Sequence, residues 1–295
     1  MNRRNEILAN LIASQLGTPQ VPLTHSSTIS GGCIHRAEIV VLADGRKYFV
    51  KSNQCAELMF ATETRGLNAL AEIGTIRTPR VIATGPLAQN ESCLILEFIE
   101  ASQINEKSFA ALGHSLSELH RNSTSDSFGW EHDNYLGSTL QRNTPCAGWI
   151  EFFAEYRLRP QLRLARDNGV HSHELFDPTE RIIDRLDHYL GGSTHRASLL
   201  HGDLWSGNVM ADAVGLPVVF DPAVYYGDRE AELAMPLLFG GFPQVFWDAY
   251  QEAWPLESGW RDRVKLYKLY HLLNHLNIFG SGYLPNCLEI VRQFR

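Results

Sequence analysis

The stretch His-Gly-Asp-Leu-Trp-Ser-Gly-Asn at 201–208 leaves this chain less freedom than any other part of it. Two short apolar runs flank it, Ala-Ser-Leu-Leu before and Leu-Pro-Val-Val-Phe after, and the second ends on Asp221. Asp203 and Asn208 are five residues apart, and Asp221 follows Asn208 by thirteen. Transfer of a phosphoryl group needs a carboxylate to orient an acceptor hydroxyl and take its proton. It also needs hard oxygen ligands for a magnesium ion bound to phosphates. An Asp with an Asn five residues on, followed by an Asp at the end of the next strand, supplies that set. Side chains on loops framed by buried strands can hold in-line geometry in a way that mobile surface residues cannot. His-Gly-Asp alone is an ordinary turn, and so is Asp-Pro; the argument rests on the three together. Asp203 is then the candidate catalytic base, with Asn208 and Asp221 as candidate metal ligands and ATP and Mg²⁺ as the implied cofactors.

The rest of the chain divides around residue 100. Ile7, Leu8, Leu11, Ile12 and Leu16 recur at helical spacing until Gly17 and Pro19 stop the pattern. Extended runs around Ala-Glu-Ile-Val-Val-Leu-Ala and Lys-Tyr-Phe-Val-Lys are joined by Asp44-Gly45, a strong hairpin signal. A helix is expected over 56–72, then strands at Pro-Arg-Val-Ile-Ala-Thr-Gly and Ser-Cys-Leu-Ile-Leu-Glu-Phe-Ile-Glu. Residues 1–100 therefore read as β-β-α-β-β behind a leading helix. Residues 101–295 read as mainly helical, with helices at 106–121, 148–168, 178–190, 230–238, 243–251 and 259–279. The polar stretch 121–147 is long for a structureless loop in a compact domain, which implies a purpose for it. The fold class this predicts is α+β, in two lobes with a crevice between them.

The smaller lobe offers partners for a nucleotide. Lys51 ends the strand Tyr-Phe-Val-Lys and can neutralise phosphate charge; a lysine at a strand end is also common for no such reason. Glu63, inside the following helix, can fix that ammonium, with Glu57 as a competitor. Phe60 and Leu67 flank Glu63 at i−3 and i+4 and turn its face towards the core. Gly31 and Gly32 would let backbone approach phosphate, although the G-x-G-x-x-G pattern is absent and an ordinary turn serves equally. The apolar run ending at Glu97, Phe98 and Ile99 reaches the boundary, where backbone groups can hold an adenine ring; a plain core strand reads the same way.

Composition narrows the partners. The formal charge of −7 exerts no general pull on nucleic acid. The five cysteines, Cys33, Cys55, Cys93, Cys146 and Cys287, are scattered without a C-x-x-C pair, which fits a reducing compartment such as the cytoplasm. No run approaches the roughly 20 apolar residues that a membrane-spanning helix needs. His171, His173, His188 and His195 lack metal-binding spacing. His271 and His275, four apart on a helix, with Trp260, either line the acceptor side of the crevice or pack helices.

Longer motifs carry a resemblance. GGCIHRAE (31–38), YFVK (48–51), MFATETRGLNAL (59–70), FGWEHDNYLGST (128–139), WIEFFAEYRLRPQL (149–162), LLHGDLWSGNV (199–209) and FDPAVYYGDREAELAMPLLFGGFP (220–243) resemble the fructosamine kinase, or ketosamine-3-kinase, family over nearly the whole chain. That family lies within the aminoglycoside phosphotransferase and choline kinase group. The resemblance implies a two-lobed protein-kinase-like fold and phosphorylation of the 3-hydroxyl of ketoamines, a deglycation repair activity on small ketoamines or glycated protein lysines. It assigns Asp203 as proton acceptor, Asn208 and Asp221 to magnesium, Lys51 and Glu63 to a phosphate clamp, and Glu97, Phe98 and Ile99 to the nucleotide hinge. It adds Trp205, Tyr225, Tyr226 and Asp228 on the substrate side. His35 and Arg36 depart from the pattern of many relatives beside Gly31 and Gly32, and Cys33 coincides with a loop cysteine of part of the family. A kinase for another small alcohol (an aminoglycoside or a choline-like compound) and a non-catalytic nucleotide-binding protein are the alternatives.

Overall fold

Residues 3–29, 35–88 and 90–294 are described in the computed structural model of this chain. The amino-terminal part runs α1 (Arg3–Leu16), β1 (Leu23–Ile29), β2 (Arg36–Leu42), β3 (Lys47–Gln54), α2 (Glu57–Ile73), β4 (Val81–Ala88) and β5 (Glu91–Glu97). The strands form one antiparallel sheet in the order β1-β2-β3-β5-β4. Asp44-Gly45 makes the expected turn between β2 and β3, with Gly45 at φ +87° and Val41 opposite Lys47. Leu8 and Ile12 of α1 pack on one face, against Val40, Val50 and Ile95. Phe60 and Leu67 of α2 pack on the other, against Leu94 and Leu96. A strand covered on both faces has no solvent side to alternate towards, which is why β5 reads as an unbroken apolar run.

One strand was not anticipated. β1 carries Leu-Thr-His-Ser-Ser-Thr-Ile, and among these only Leu23 is buried. It is an edge strand with one neighbour, so it lacks the apolar face that marks a strand in a sequence.

Beyond residue 100 the chain is mainly helical, and its largest core is there. Helix α3 (Glu106–Asn122) starts where Asn105 accepts hydrogen bonds from the backbone N–H groups of Lys107 and Ser108, closing a capping box. It packs along the helix Gln244–Ala253. The expected helix over 148–168 is present as Trp149–Phe153, a π-helical turn Ala154–Leu158 and Arg159–Asp167. The segment expected at 178–190 begins earlier, at His173, where Ser172 caps it, and breaks at Asp184–Arg185. Helix Trp260–Phe279 is buried around most of its circumference. A closing helix, Leu284–Gln293, and a short hairpin pairing Asn134–Leu136 with Thr139–Gln141 were not expected. The hairpin shows what the long polar stretch 121–147 contains.

The two apolar runs around the polar loop are strands. Ala197–Leu200 is buried at every position, and Val209–Asp212 pairs antiparallel with Pro217–Val219, Val209 opposite Val219. The catalytic-loop candidates therefore hang between rigid elements at the edge facing the small lobe.

Candidate active site

Lys51 leaves β3 towards α2 and the loop after Val219, and its Nζ lies 2.7 Å from Glu63 Oε1 and in contact with Asp221 Oδ1. Burial alone would lower the lysine pKa, but Glu63 and Asp221 raise it above its ordinary value, so the ammonium is charged. Glu63 is buried as well; burial raises its pKa, and Lys51 opposes that rise. Glu63, the glutamate the sequence favours, makes the contact, whereas its competitor Glu57 is exposed. Gly66, one turn further along α2, allows this closeness: a Cβ there would sit 3.2 Å from Pro222 Cγ and 3.4 Å from a methyl of Val224. Helix α2 thereby comes down onto the segment that carries Asp221.

Asp203 lies within electrostatic reach of Asp221. Asn208 Nδ2 donates to the Asp203 carbonyl at 2.8 Å and to its Oδ2 at 3.0 Å, leaving Asn208 Oδ1 without a partner among the described residues. Burial, and next the charge of Asp221, push Asp203 up to about 7. The turn before it requires glycine. Gly202 has φ +84°, and a Cβ there would fall 2.0 Å from the Ala223 carbonyl oxygen. His201 is buried, and burial lowers its pKa. The Asp203 N–H meets its Nδ1 at 3.3 Å, so the neutral ring donates Nε2–H to the Phe220 carbonyl at 3.0 Å.

A residue that sequence reasoning missed holds this turn from behind. Glu232 is 2% exposed, and its two carboxylate oxygens accept the backbone N–H groups of His201 and Gly202, the latter at 3.0 Å. Nothing in Arg-Glu-Ala-Glu-Leu singles it out, because its partners are backbone atoms thirty residues away. Its place at the head of the apolar run Leu-Ala-Met-Pro-Leu-Leu is the one signal the sequence carries.

The donor set suits magnesium. Asn208 Oδ1 and the Asp221 carboxylate are hard oxygen donors, and Mg²⁺ is bound by one or two such groups together with phosphate oxygens. Asp221 has φ +58°, a conformation seldom taken by residues other than glycine, and its side chain is 41% exposed towards the crevice. Among the described residues no group of three or more His, Cys, Asp or Glu side chains could hold a metal ion without phosphate. Strand β5 ends at Glu97, whose backbone N–H bonds the Arg80 carbonyl and whose side chain meets Arg77 and the Arg80 N–H. Phe98 and Ile99 follow outside the sheet, with Ile99 buried and the Lys47 ammonium over the Phe98 ring. Gly31, Gly32 and Cys33 lie outside the described residues. His35, just beyond them, packs on Phe60 and is held neutral by burial and by Lys51, its pKa lowered to about 4.

Residues 5–295 match the fructosamine kinase family. The chain belongs to that family. It is 41% identical over 290 residues to a protein named probable ketoamine kinase from Synechocystis sp., covering 98% of this chain and 96% of the other. It is 40% identical over 274 residues to the chloroplastic protein-ribulosamine 3-kinase of Oryza sativa subsp. japonica, covering 92% of this chain and 79% of that one. Among solved structures, a candidate fructosamine-3-kinase of Thermobifida fusca superposes with TM-score 0.85 at 32% identity, over 97% of each chain. The aminoglycoside phosphotransferase APH(4)-Ia, at 16% identity and TM-score 0.60 over 97% of this chain and 98% of that one, shares the two-lobed kinase-like fold.

In this fructosamine kinase family member the residues read as substrate-side separate into two groups. Trp205 is 36% exposed, two residues from Asp203, with its indole lying over Gly207. It begins a chain of ring contacts through Phe239 to His275 and Tyr283. His275 accordingly reaches the crevice side, while His271 is buried and Trp260 stacks on Trp247 in the core. Tyr226 is half-buried against Trp130. Tyr225 and Asp228, by contrast, are enclosed. The Tyr225 ring lies 4.0 Å from the Arg157 guanidinium, and Asp228 caps the helix at Arg229 while bonding His195 Nδ1. Packing occupies both, and a substrate would have to displace it to reach them.

Proposed function

We propose that this protein transfers the γ-phosphoryl group of ATP to the 3-hydroxyl of a ketosamine, with Asp203 as the catalytic base. One observation carries the reading: a half-buried Asp203 carboxylate, fixed by Asn208, lies within electrostatic reach of Asp221, which closes the Lys51–Glu63 group. The relatives named ketoamine kinase and ribulosamine 3-kinase support the acceptor class.

Lys51, locked by Glu63, offers its ammonium to the α- and β-phosphates. The backbone at Glu97, Phe98 and Ile99 receives the adenine. Magnesium, bound through Asn208 and Asp221, would neutralise charge on the phosphate oxygens as it builds up. Asp203 holds the acceptor hydroxyl in line. Its oxygen forms a bond to the γ-phosphorus, the bond from that phosphorus to the β–γ bridging oxygen breaks, ADP leaves, and the hydroxyl proton passes to Asp203. Trp205 and Tyr226 border the acceptor. The reading extends to ribulose- or fructose-derived amines, free or on protein lysines, and to a reducing cytoplasm, in keeping with the free thiols of Cys55, Cys93, Cys146 and Cys287. No described helix is long and apolar enough to cross a membrane.

The test is ADP release measured over ribulosyl- and fructosyl-amines, glycated lysine peptides, aminoglycosides and choline. Turnover of ketosamines is expected. Asp203→Asn should lower kcat by about 10²- to 10⁴-fold, the usual contribution of a positioned base, with ATP still bound. Loss of less than tenfold would remove Asp203 from that role.

A further inference from the structure

Next to the catalytic loop is an open cavity of about 420 Å³, a size that suits a small-molecule ligand. Its walls are the Asn134–Gln141 hairpin, the helix Arg159–Asp167 and the helix Trp260–Phe279. None of its residues carries a role in the mechanism above. We infer that this cavity receives the carbohydrate part of the acceptor and recognises it as an uncharged polyol, an inference that rests on the ketosamine kinase reading.

Position is the first argument. Gln141 Nε2 donates to the Ala223 carbonyl at 3.0 Å, and that same carbonyl lies against Gly202, the residue before Asp203. Tyr270 Oη donates to Gln141 Oε1 at 2.7 Å. The polar wall of the cavity is thus two contacts from the loop that holds the base.

The second argument is chemical. The lining offers the hydroxyls of Ser138, Thr139 and Tyr156 and the half-buried amide of Asn277, while the buried amides of Gln141 and Gln161 are engaged within the protein and hold the wall in place. It contains no carboxylate. Its one charged side chain is Arg157, buried, bonded to the Arg142 carbonyl and Asn143 Oδ1, and clasped by the Phe152 and Tyr225 rings without a paired acid. A cavity with a cationic floor and no carboxylate repels a polycation and accepts neutral hydroxyls. The amides are already oriented, since Asn277 Nδ2 donates to Gln161 Oε1 at 2.7 Å and Gln161 Nε2 to Asn274 Oδ1 at 3.0 Å. A ligand would have little side-chain freedom to remove on binding. The hydroxyls of Ser138, Thr139 and Tyr156 have no hydrogen-bond partner among the described residues, which leaves them available to a sugar.

Two variants test this with a ribulosyl-alkylamine as acceptor. Thr139→Phe, which fills the cavity from the hairpin, should reduce acceptor kcat/KM by at least about a hundredfold. Ser138→Ala combined with Tyr156→Phe should raise the acceptor KM with kcat little changed, by about two- to tenfold per hydroxyl removed. Nucleotide affinity and melting temperature, followed in parallel, report whether each variant is folded. A folded Thr139→Phe that keeps acceptor kcat/KM within threefold of the parent overturns the inference. If that variant does not fold, an unchanged acceptor KM in the double variant overturns it instead. Equal turnover of an aminoglycoside and the ribulosyl-amine overturns the neutral-polyol assignment. A parent protein that binds ATP yet phosphorylates no ketosamine defeats the activity reading itself, and the inference with it, whatever the variants do.

Discussion

Replacing Glu232 by glutamine tests whether the catalytic loop is held by a charge or merely by its turn. The carboxylate accepts two buried backbone N–H groups, from His201 and Gly202. Glutamine keeps the volume but has one accepting oxygen, and its amide nitrogen would point N–H at N–H. One charge-assisted bond is lost and one buried donor is left unmatched, a destabilisation of about 2–4 kcal/mol. For a chain of this length the unfolding entropy turns that into a fall of about 3–6 °C in Tm. The effect on rate should be larger in proportion. The freed loop carries Asp203, and a displacement near 1 Å at the reacting groups costs on the order of 10²-fold. Asp221 and Lys51 are held by other contacts, so ATP affinity should stay within about threefold. Thermal melting, nucleotide titration and steady-state ADP release measure the three quantities separately. A Glu232→Gln protein with kcat within twofold of the parent would refute the reasoning, because the loop would then be held by Gly202 and the flanking strands alone.

Asp221→Asn should weaken magnesium-dependent ATP binding by at least tenfold in a magnesium titration; unchanged affinity would exclude Asp221 as a ligand. Asp203, raised to about 7 by burial and Asp221, must lose its proton to act as base, so kcat/KM should fall as pH drops below that value. This acid limb should move to lower pH as magnesium is raised; a limb at one pH for all magnesium concentrations would contradict the assignment. The same shift carries a stability sign. The folded protein binds this proton more tightly than an unfolded chain, where an aspartate titrates at its ordinary 3.8, so the group's contribution to stability is lost as pH rises from about 4 to about 7. Asp203→Asn should accordingly melt higher than the parent at pH 8 and equally at pH 4, and a lower melting temperature at pH 8 would show that the charge is not strained.

Much of the site was legible because its parts are close together in the chain. Asp203 and Asn208 share one loop, and Asp221 follows the hairpin that leaves it, so spacing alone brings the three near each other. Lys51 and Glu63 were legible as a strand end and a core-facing helix position, and the exposure of Glu57 agrees with the preference for Glu63. Glu232 was hidden because it binds backbone, which has the same chemistry at every residue. The cavity was hidden for a related reason: Ser138, Gln161 and Asn277 come from three distant segments, each polar in a way typical of surface helices and turns. Edge strand β1 lacked a buried face, and Tyr225 and Asp228, prominent in a recognisable motif, are enclosed by Arg157 and His195. A motif marks where a sequence is constrained without saying whether a ligand or the core imposes the constraint.

The acids explain why the site is arranged in this way. Glu63 and Asp221 both contact Lys51, while Asp203 feels the Asp221 charge without a cation of its own beside it among the described residues. Lys51 is shared by Glu63 and Asp221, so the negative charge nearest Asp203 is only partly balanced, and Asp203 holds its proton up to about pH 7. Burial and the Asp221 charge thus both oppose ionisation of Asp203 in the free protein. A magnesium ion held at Asn208 and Asp221 would offset the Asp221 charge that opposes ionisation of Asp203, while the phosphates it carries would act the other way. Glu232 completes the arrangement from behind by holding the loop rigid, which lets the carboxylate respond to charge instead of moving away from it.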